Sequence, residues 1–137
     1  MLPLVKIPQQ GDYQGLLLKW LDSTYEKSKR PWGNFTTLWK EGANIKIIEV
    51  KSRSRLSLQS HRFRDEFWFL LSGELWYLIG RKKGKMKKGI VYQIPRGTKH
   101  RLWANKKGGR IIEVSLGKFD EKDIIRYEDD YGRADSG

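Results

Sequence analysis

The chain predicts an all-β fold, an antiparallel sandwich or barrel, and three observations carry that prediction. From residue 35 to residue 117 short runs rich in β-branched and aromatic residues follow one another, turn-forming Gly, Pro, Asn and Asp separate them, and no helical periodicity intervenes. The expected strands cover about 35–40, 44–51, 55–61, 66–71, 74–80, 85–88, 90–94, 99–104 and 110–117. Closing such strands into a barrel removes most unpaired edges.

Ahead of the strands, residues 1–11 read as an irregular arm. From Asp12, a suitable N-cap, Tyr13, Leu16, Leu17, Trp20, Leu21 and Tyr25 recur at helical spacing, which predicts one amphipathic helix to about Lys27. Its apolar stripe is read as a face packed on the barrel or on a second subunit. Arg30-Pro31-Trp32-Gly33 breaks the helix and opens the β part. The chain thus divides into an arm and helix (1–29), a β domain (30–133) and a frayed tail (134–137). Within the β domain, Asp120 to Arg133 is expected to be an ordered closing segment containing a short helical turn.

At 137 residues the chain holds one domain able to bury a real core. No apolar run is long enough to span a bilayer, and Met1-Leu-Pro-Leu-Val-Lys-Ile-Pro8 is too short and too proline-broken for a signal peptide, so a cytoplasmic address without membrane association is expected. There is no cysteine, which excludes disulfides and thiolate metal sites and leaves nitrogen and oxygen as the only ligands. The formal charge of +12 biases the surface field toward anions. Arg81 to Lys88 concentrates that charge. It reads as a solvated hairpin tip turning at Gly84, whose lysines discourage edge-to-edge aggregation, and only secondarily as a nucleic-acid tract.

The chemistry concentrates between Arg53 and Gly73. Gln59 and His61 are two apart and share a strand face; Glu66 opens the next strand. A second imidazole, His100, follows the turn Pro95-Arg96-Gly97, and these two histidines are the only ones in the chain. An amide oxygen, two imidazoles and a carboxylate suit a divalent cation of borderline hardness: zinc, manganese, iron, cobalt or nickel. The same alternation turns Ser57, Arg55, Trp68 and Leu70 toward the site. Such a centre carries about one net positive charge and favours vicinal oxygens of an anionic sugar. Asp65, Glu128, Asp129 and Asp130 read as ion-pair partners for the abundant lysines rather than as general acids.

These residues resemble the cupin superfamily, whose first motif is Gly-x5-His-x-His-x3,4-Glu-x6-Gly and whose second is Gly-x5-Pro-x-Gly-x2-His-x3-Asn. Here they read Arg53-x5-Gln59-x-His61-x4-Glu66-x6-Gly73 and Gly89-x5-Pro95-x-Gly97-x2-His100, with Asn105 one residue late. Arg30-Pro-Trp-Gly, Leu56-Ser-Leu-Gln-Ser-His61, Arg64-x-Glu-x-Trp68, Ile112-Glu-Val and Asp123-Ile-Ile-Arg-Tyr-Glu-Asp-Asp-Tyr-Gly-Arg133 narrow the resemblance to the type II phosphomannose isomerase domain. The resemblance implies a double-stranded β-helix, the cupin jelly roll, assembled as a homodimer. It also implies one divalent metal on Gln59, His61, Glu66 and His100, and interconversion of mannose 6-phosphate and fructose 6-phosphate through an enediolate. Arg64 and Arg133 are then assigned to catalysis and phosphate charge, and Ser57, Trp68, Arg55 and Arg126 to substrate binding, because guanidinium grips phosphate bidentately. The family usually carries histidines where this chain has Arg62, Phe63 and Phe67. The proton-transfer group is left unassigned, and a cupin that binds a sugar phosphate or nucleotide sugar without turnover is the alternative.

Overall fold

A computed structural model of the chain describes Tyr25 and residues 27–134. The predicted helix and frayed tail lie outside the described residues, apart from their edges. Eleven strands run in chain order: β1 (Ser28–Arg30), β2 (Gly33–Trp39), β3 (Ala43–Val50), β4 (Leu58–Ser60), β5 (Arg64–Gly73), β6 (Trp76–Ile79), β7 (Lys82–Lys85), β8 (Val91–Ile94), β9 (His100–Trp103), β10 (Gly109–Gly117) and β11 (Ile125–Glu128). All pairings are antiparallel, and no helix occurs among the described residues.

Two sheets form, ordered β1-β2-β3-β10-β5-β8 and β11-β4-β9-β6-β7. Sequentially distant strands β3, β10 and β5 lie side by side, so the middle of the larger sheet is assembled from three separate parts of the chain. The side chains of both sheets meet in a core built on Trp32, Val50, Trp68, Leu75, Leu102 and Ile111. Burying one such side chain contributes about 1.5–3 kcal/mol, which is the term that holds the sheets face to face.

That core does not fill the whole interior. At one end the inner face of the larger sheet turns polar: Asn44 and Lys46 on β3, Glu113 and Ser115 on β10, and Glu66 on β5 are all buried. The register sets Lys46 opposite Glu113, and Glu113 opposite Trp68; the next row sets Asn44 opposite Ser115, and Ser115 opposite Glu66. Buried polar groups are costly unless satisfied, so this patch marks where the fold gives up stability for chemistry.

Three expectations are corrected. The basic hairpin does not turn at Gly84: Ile79 pairs with Lys82, so Gly80 and Arg81 make the turn and Gly84 stands in β7 opposite Tyr77. The predicted strand at 85–88 therefore lies earlier, at Lys82–Lys85. The lysines sit along the outer strand of the smaller sheet, where charge blocks further pairing. Second, the strand expected over 55–61 is regular only from Leu58, with Arg55 making a single bridge to Trp103. Third, the closing segment contains a strand, β11, that pairs with β4 and so walls the region around Gln59.

Candidate metal centre and its pocket

Gln59 and His100 are directly paired across β4 and β9 in the smaller sheet, His61 follows β4, and Glu66 approaches on β5 from the larger sheet. The turn before β9 is set by Gly97. Its φ of 76° suits the third position of a type II turn, Thr98 N–H bonds Pro95 O at 3.1 Å, and Gly97 N–H bonds His61 O at 2.7 Å. One glycine thus ties the segment entering His100 to the residue His61.

His61, Glu66 and His100 are all buried, with candidate ligand atoms within 4.8 Å of one another. Nδ1 of His61 lies 2.7 Å from Asp123 O, and Nδ1 of His100 lies 2.9 Å from Thr98 O. A carbonyl only accepts, so both Nδ1 atoms donate and each neutral ring turns its Nε2 lone pair inward. Both lone pairs face the same carboxylate oxygen, Glu66 Oε1, at 3.1 Å from His61 and 3.2 Å from His100. Glu66 Oε1 and His100 Nε2 have no hydrogen-bond partner. The Arg64 guanidinium reaches His61 Nε2, but Glu66 Oε1 and His100 Nε2 face each other without a donor, which a proton on a ring or a metal ion would satisfy. The donor set of two imidazoles and a carboxylate fits a divalent transition metal.

The carboxylate is prepared for that role. Burial pushes the Glu66 carboxyl up, and positive charge on the His100 and His61 side, as when a ring carries a proton and donates to it, outweighs burial and holds it well below the usual range. Ser115 Oγ donates to its other oxygen at 3.0 Å, and Arg64 Nε lies 3.6 Å from the same atom. Arg64 also donates to Asp120 O at 3.0 Å and places its outer nitrogen 3.3 Å from His61 Nε2.

Gln59 stands beside the cluster with its amide nitrogen 3.4 Å from His61 Nε2, and its oxygen accepts from Ser57 Oγ at 2.7 Å. Rotating the amide would bring the oxygen to the cation side, and the Ser57 hydroxyl is equally able to accept from the amide nitrogen. Gln59 is thus placed where a neutral amide oxygen could add to the His61, Glu66 and His100 group.

Ser57, Gln59, Arg64 and Glu66 open on a pocket of about 120 Å³, also lined by Arg126 and Arg133, while His61 and His100 stand behind Glu66 outside its lining. Arg133 is held by a two-pronged ion pair to Asp129, 2.9 and 3.2 Å. Arg55 is not part of this pocket: it forks onto Asp130 at 2.6 Å and lines a separate surface depression. Trp68 is fully buried; its edge meets the His100 ring at 5.6 Å and its Nε1 donates to Glu113 at 2.9 Å, so it braces the imidazole. Asp65, Glu128, Asp129 and Asp130 are ion-pair partners as expected, each with an arginine rather than a lysine.

Two pocket residues escaped the sequence reading, Lys46 and Glu113. Burial pushes the Glu113 carboxyl up to about 8, the Glu66 charge adds to the effect, and Lys46 and Trp68 oppose it. The signal was present as alternation: Asn44 and Lys46 share a face with Ile48 and Val50, and Glu113 and Ser115 share one with Ile111.

Fold and site together define a cupin-type β-fold with a buried His–Glu–His group compatible with a divalent metal. The Cnp3 cupin domain of Schizosaccharomyces pombe superposes with a TM-score of 0.62 at 16% identity over 70% of this chain and 71% of that one. Oxalate decarboxylase from Bacillus subtilis gives 0.66 at 16% identity over 76% of this chain and 30% of that one. Residues 20–129 match the family model described as mannose-6-phosphate isomerase C-terminal, and the chain belongs to that family. It is 36% identical over 115 residues to the xanthan biosynthesis protein XanB of Xanthomonas campestris pv. campestris, covering 80% of this chain and 24% of XanB. It is 40% identical over 108 residues to the alginate biosynthesis protein AlgA of Pseudomonas aeruginosa, covering 76% of this chain and 22% of AlgA. To the mannose-1-phosphate guanylyltransferase of Salmonella montevideo it is 36% identical over 114 residues, covering 80% of this chain and 24% of that protein. The chain spans about a quarter of the length of these relatives.

Proposed function

We propose that the protein is a metal-dependent aldose–ketose isomerase that interconverts mannose 6-phosphate and fructose 6-phosphate. The observation that carries the reading is the convergence of His61 Nε2 and His100 Nε2 on Glu66 Oε1, buried groups calling for a cation, with Glu66 in turn lining a pocket that also holds arginines. Membership of the isomerase C-terminal family supplies the sugar.

A divalent ion held by His61, His100, Glu66 and Gln59 would supply Lewis acidity toward the sugar's C1 and C2 oxygens. The chain's own groups do the rest. Arg64, whose Nε is buried without a hydrogen-bond partner, stabilises negative charge as it develops on those oxygens. Of the pocket carboxyls, Glu121 is exposed and paired with Lys46, so Glu113 is the buried one left over once Glu66 is committed as a ligand. We assign it the transfer of the proton between C1 and C2, on its position beside Glu66 and the orientation Trp68 imposes. Arg126 and Arg133 contribute positive potential at the β11 side.

The absence of histidines at positions 62, 63 and 67 motivated a non-catalytic alternative. Phe67 alternates with the inward Glu66 and Trp68, and Arg62 and Phe63 are exposed in the turn before β5, so none of the three lines the pocket. Their identity therefore removes no acid or base from it, which favours the enzyme. The test is to load the protein with divalent metal, supply mannose 6-phosphate and assay fructose 6-phosphate, with His61→Ala and His100→Ala as controls. Turnover in the wild type that both substitutions abolish supports the reading. Stabilisation by the sugar phosphate without turnover selects the binding protein instead.

A further inference from the structure

The pocket holds a buried cation whose partner is an exposed acid at the pocket's edge. Lys46 projects from the centre of the larger sheet with its side chain 9% exposed, and its ammonium pairs at 3.2 Å with Glu121, whose side chain is 68% exposed. Glu121 lies on the segment between β10 and β11 and lines the pocket. Burying an ammonium costs several kcal/mol, and a solvated, mobile-ended carboxylate recovers little of that, since it gives up its own hydration to bind. The Arg101–Glu128 pair, 8% and 60% exposed, has the same buried-cation, exposed-acid form, so what sets the Lys46–Glu121 pair apart is that both of its members line the pocket.

The surroundings of Lys46 gather aromatic rings and a second cation at the pocket wall. Its ammonium sits 4.4 Å from the Phe35 ring centre and 4.8 Å from that of Phe119. The same Phe35 ring carries the Arg30 guanidinium at 4.8 Å, so two cations gather on one aromatic residue at the pocket wall. The pocket's 120 Å³ is also small beside the roughly 300–1,000 Å³ usual for small-molecule sites. Withdrawal of Glu121 would enlarge it at the point where the cations stand.

We infer that Lys46, assisted by Arg30, holds the anionic phosphate of the substrate, and that Glu121 occupies the phosphate position until substrate displaces it. This deepens the isomerase reading and rests on it only for the identity of the sugar. A dianionic phosphate offers more charge and more acceptor oxygens than one carboxylate, so exchange at Lys46 proceeds in its favour while Glu121 returns to water.

The test is calorimetric binding of inorganic phosphate, mannose 6-phosphate and mannose to the wild type, Lys46→Met and Glu121→Gln, with turnover measured in parallel. The inference predicts that Lys46→Met weakens binding of both phosphates about tenfold or more, the worth of one charge-assisted contact. Glu121→Gln, an exposed change that leaves the fold intact, should tighten both and leave mannose unaffected. Wild-type protein that binds neither phosphate, phosphate binding indifferent to Lys46→Met, or Glu121→Gln without gain would each overturn it. Should Lys46→Met fail to fold, the Glu121→Gln arm decides alone. Lys46-dependent phosphate binding with no turnover in any protein keeps this inference and defeats the isomerase; turnover whose KM ignores Lys46→Met does the reverse.

Discussion

His100 Nε2 stands 3.2 Å from Glu66 Oε1, and because the ring's Nδ1–H is already given to the Thr98 carbonyl, the two atoms face each other as acceptors. The pair is stable only with positive charge between its members. Glu66→Gln replaces the carboxylate with a group that can itself donate to His100, so it removes the need for a cation. The substituted protein is expected to unfold in chelator at or above the wild-type temperature. Wild type should gain about 2.7 kcal/mol from a divalent ion at a hundred times its Kd, and Glu66→Gln essentially nothing; thermal unfolding with and without metal compares them.

Glu113 gives the metal-free protein a pH-dependent stability. Its folded pKa, about 8, lies above the ordinary 4.5. Below the ordinary value folded and unfolded chains both hold the proton; as pH rises toward 8 only the unfolded chain releases it, so stability falls across that window and levels off beyond. Each pH unit of that window costs at most about 1.4 kcal/mol, and the whole loss is on the order of a few kcal/mol. Urea unfolding in chelator from pH 4.5 to 8.5 should show the decline in wild type and a flatter profile in Glu113→Gln. Metal should flatten the wild-type profile too, since a cation on Glu66 cancels part of the charge that raises Glu113.

Arg53 occupies the first-motif glycine position with φ at 53°, the only non-glycine residue with positive φ among those described. Its backbone still docks, N–H to Asn105 O at 2.6 Å. The left-handed conformation costs a residue with a Cβ about 1 kcal/mol. Arg53→Gly should therefore stabilise the fold by roughly that amount, less the entropy glycine adds to the unfolded chain, as measured by urea midpoint, and should leave metal content unchanged.

Asp123 acts on the site without entering it. Its carboxylate accepts from the backbone N–H of Arg62 at 2.8 Å and of Phe63 at 3.0 Å, and its carbonyl orients His61. Asp123→Ala keeps the carbonyl but releases the clamp, so metal affinity should drop about tenfold, the usual scale for groups behind a ligand. Titration with metal in competition with a chromophoric chelator reads this directly. An unchanged affinity would mean that the turn holds His61 without help.

Most of the candidate metal group is legible in the sequence because strand alternation and turn chemistry are local: Gln59 and His61 share a face, and Pro95-Arg96-Gly97 turns the chain before His100. What decided the pocket was not local. Lys46 and Glu113 meet only because β3 and β10 become neighbours in the sheet, and neither residue is distinctive alone. Arg55 was placed inward by counting alternation through a stretch that is regular only from Leu58, so the count failed before it reached Arg55. Gly84 was read as a turn because glycine weakens strands; here Tyr77 stands opposite it with its ring in van der Waals range of where a side chain would begin, and the tighter two-residue turn formed at Gly80. The strands at Ser28–Arg30 and Ile125–Glu128 were missed because segments so short take their conformation from the neighbour they pair with.

Every role proposed for the pocket depends on His61, Glu66 and His100 jointly holding a divalent cation. Elemental analysis of protein dialysed against divalent metal and then against buffer tests this most directly, with His61→Ala and His100→Ala alongside and circular dichroism to verify that each is folded. Stoichiometric metal in the wild type and its loss from both folded variants is the expected result. Metal retained undiminished by both, or a wild type that takes up none, would contradict it.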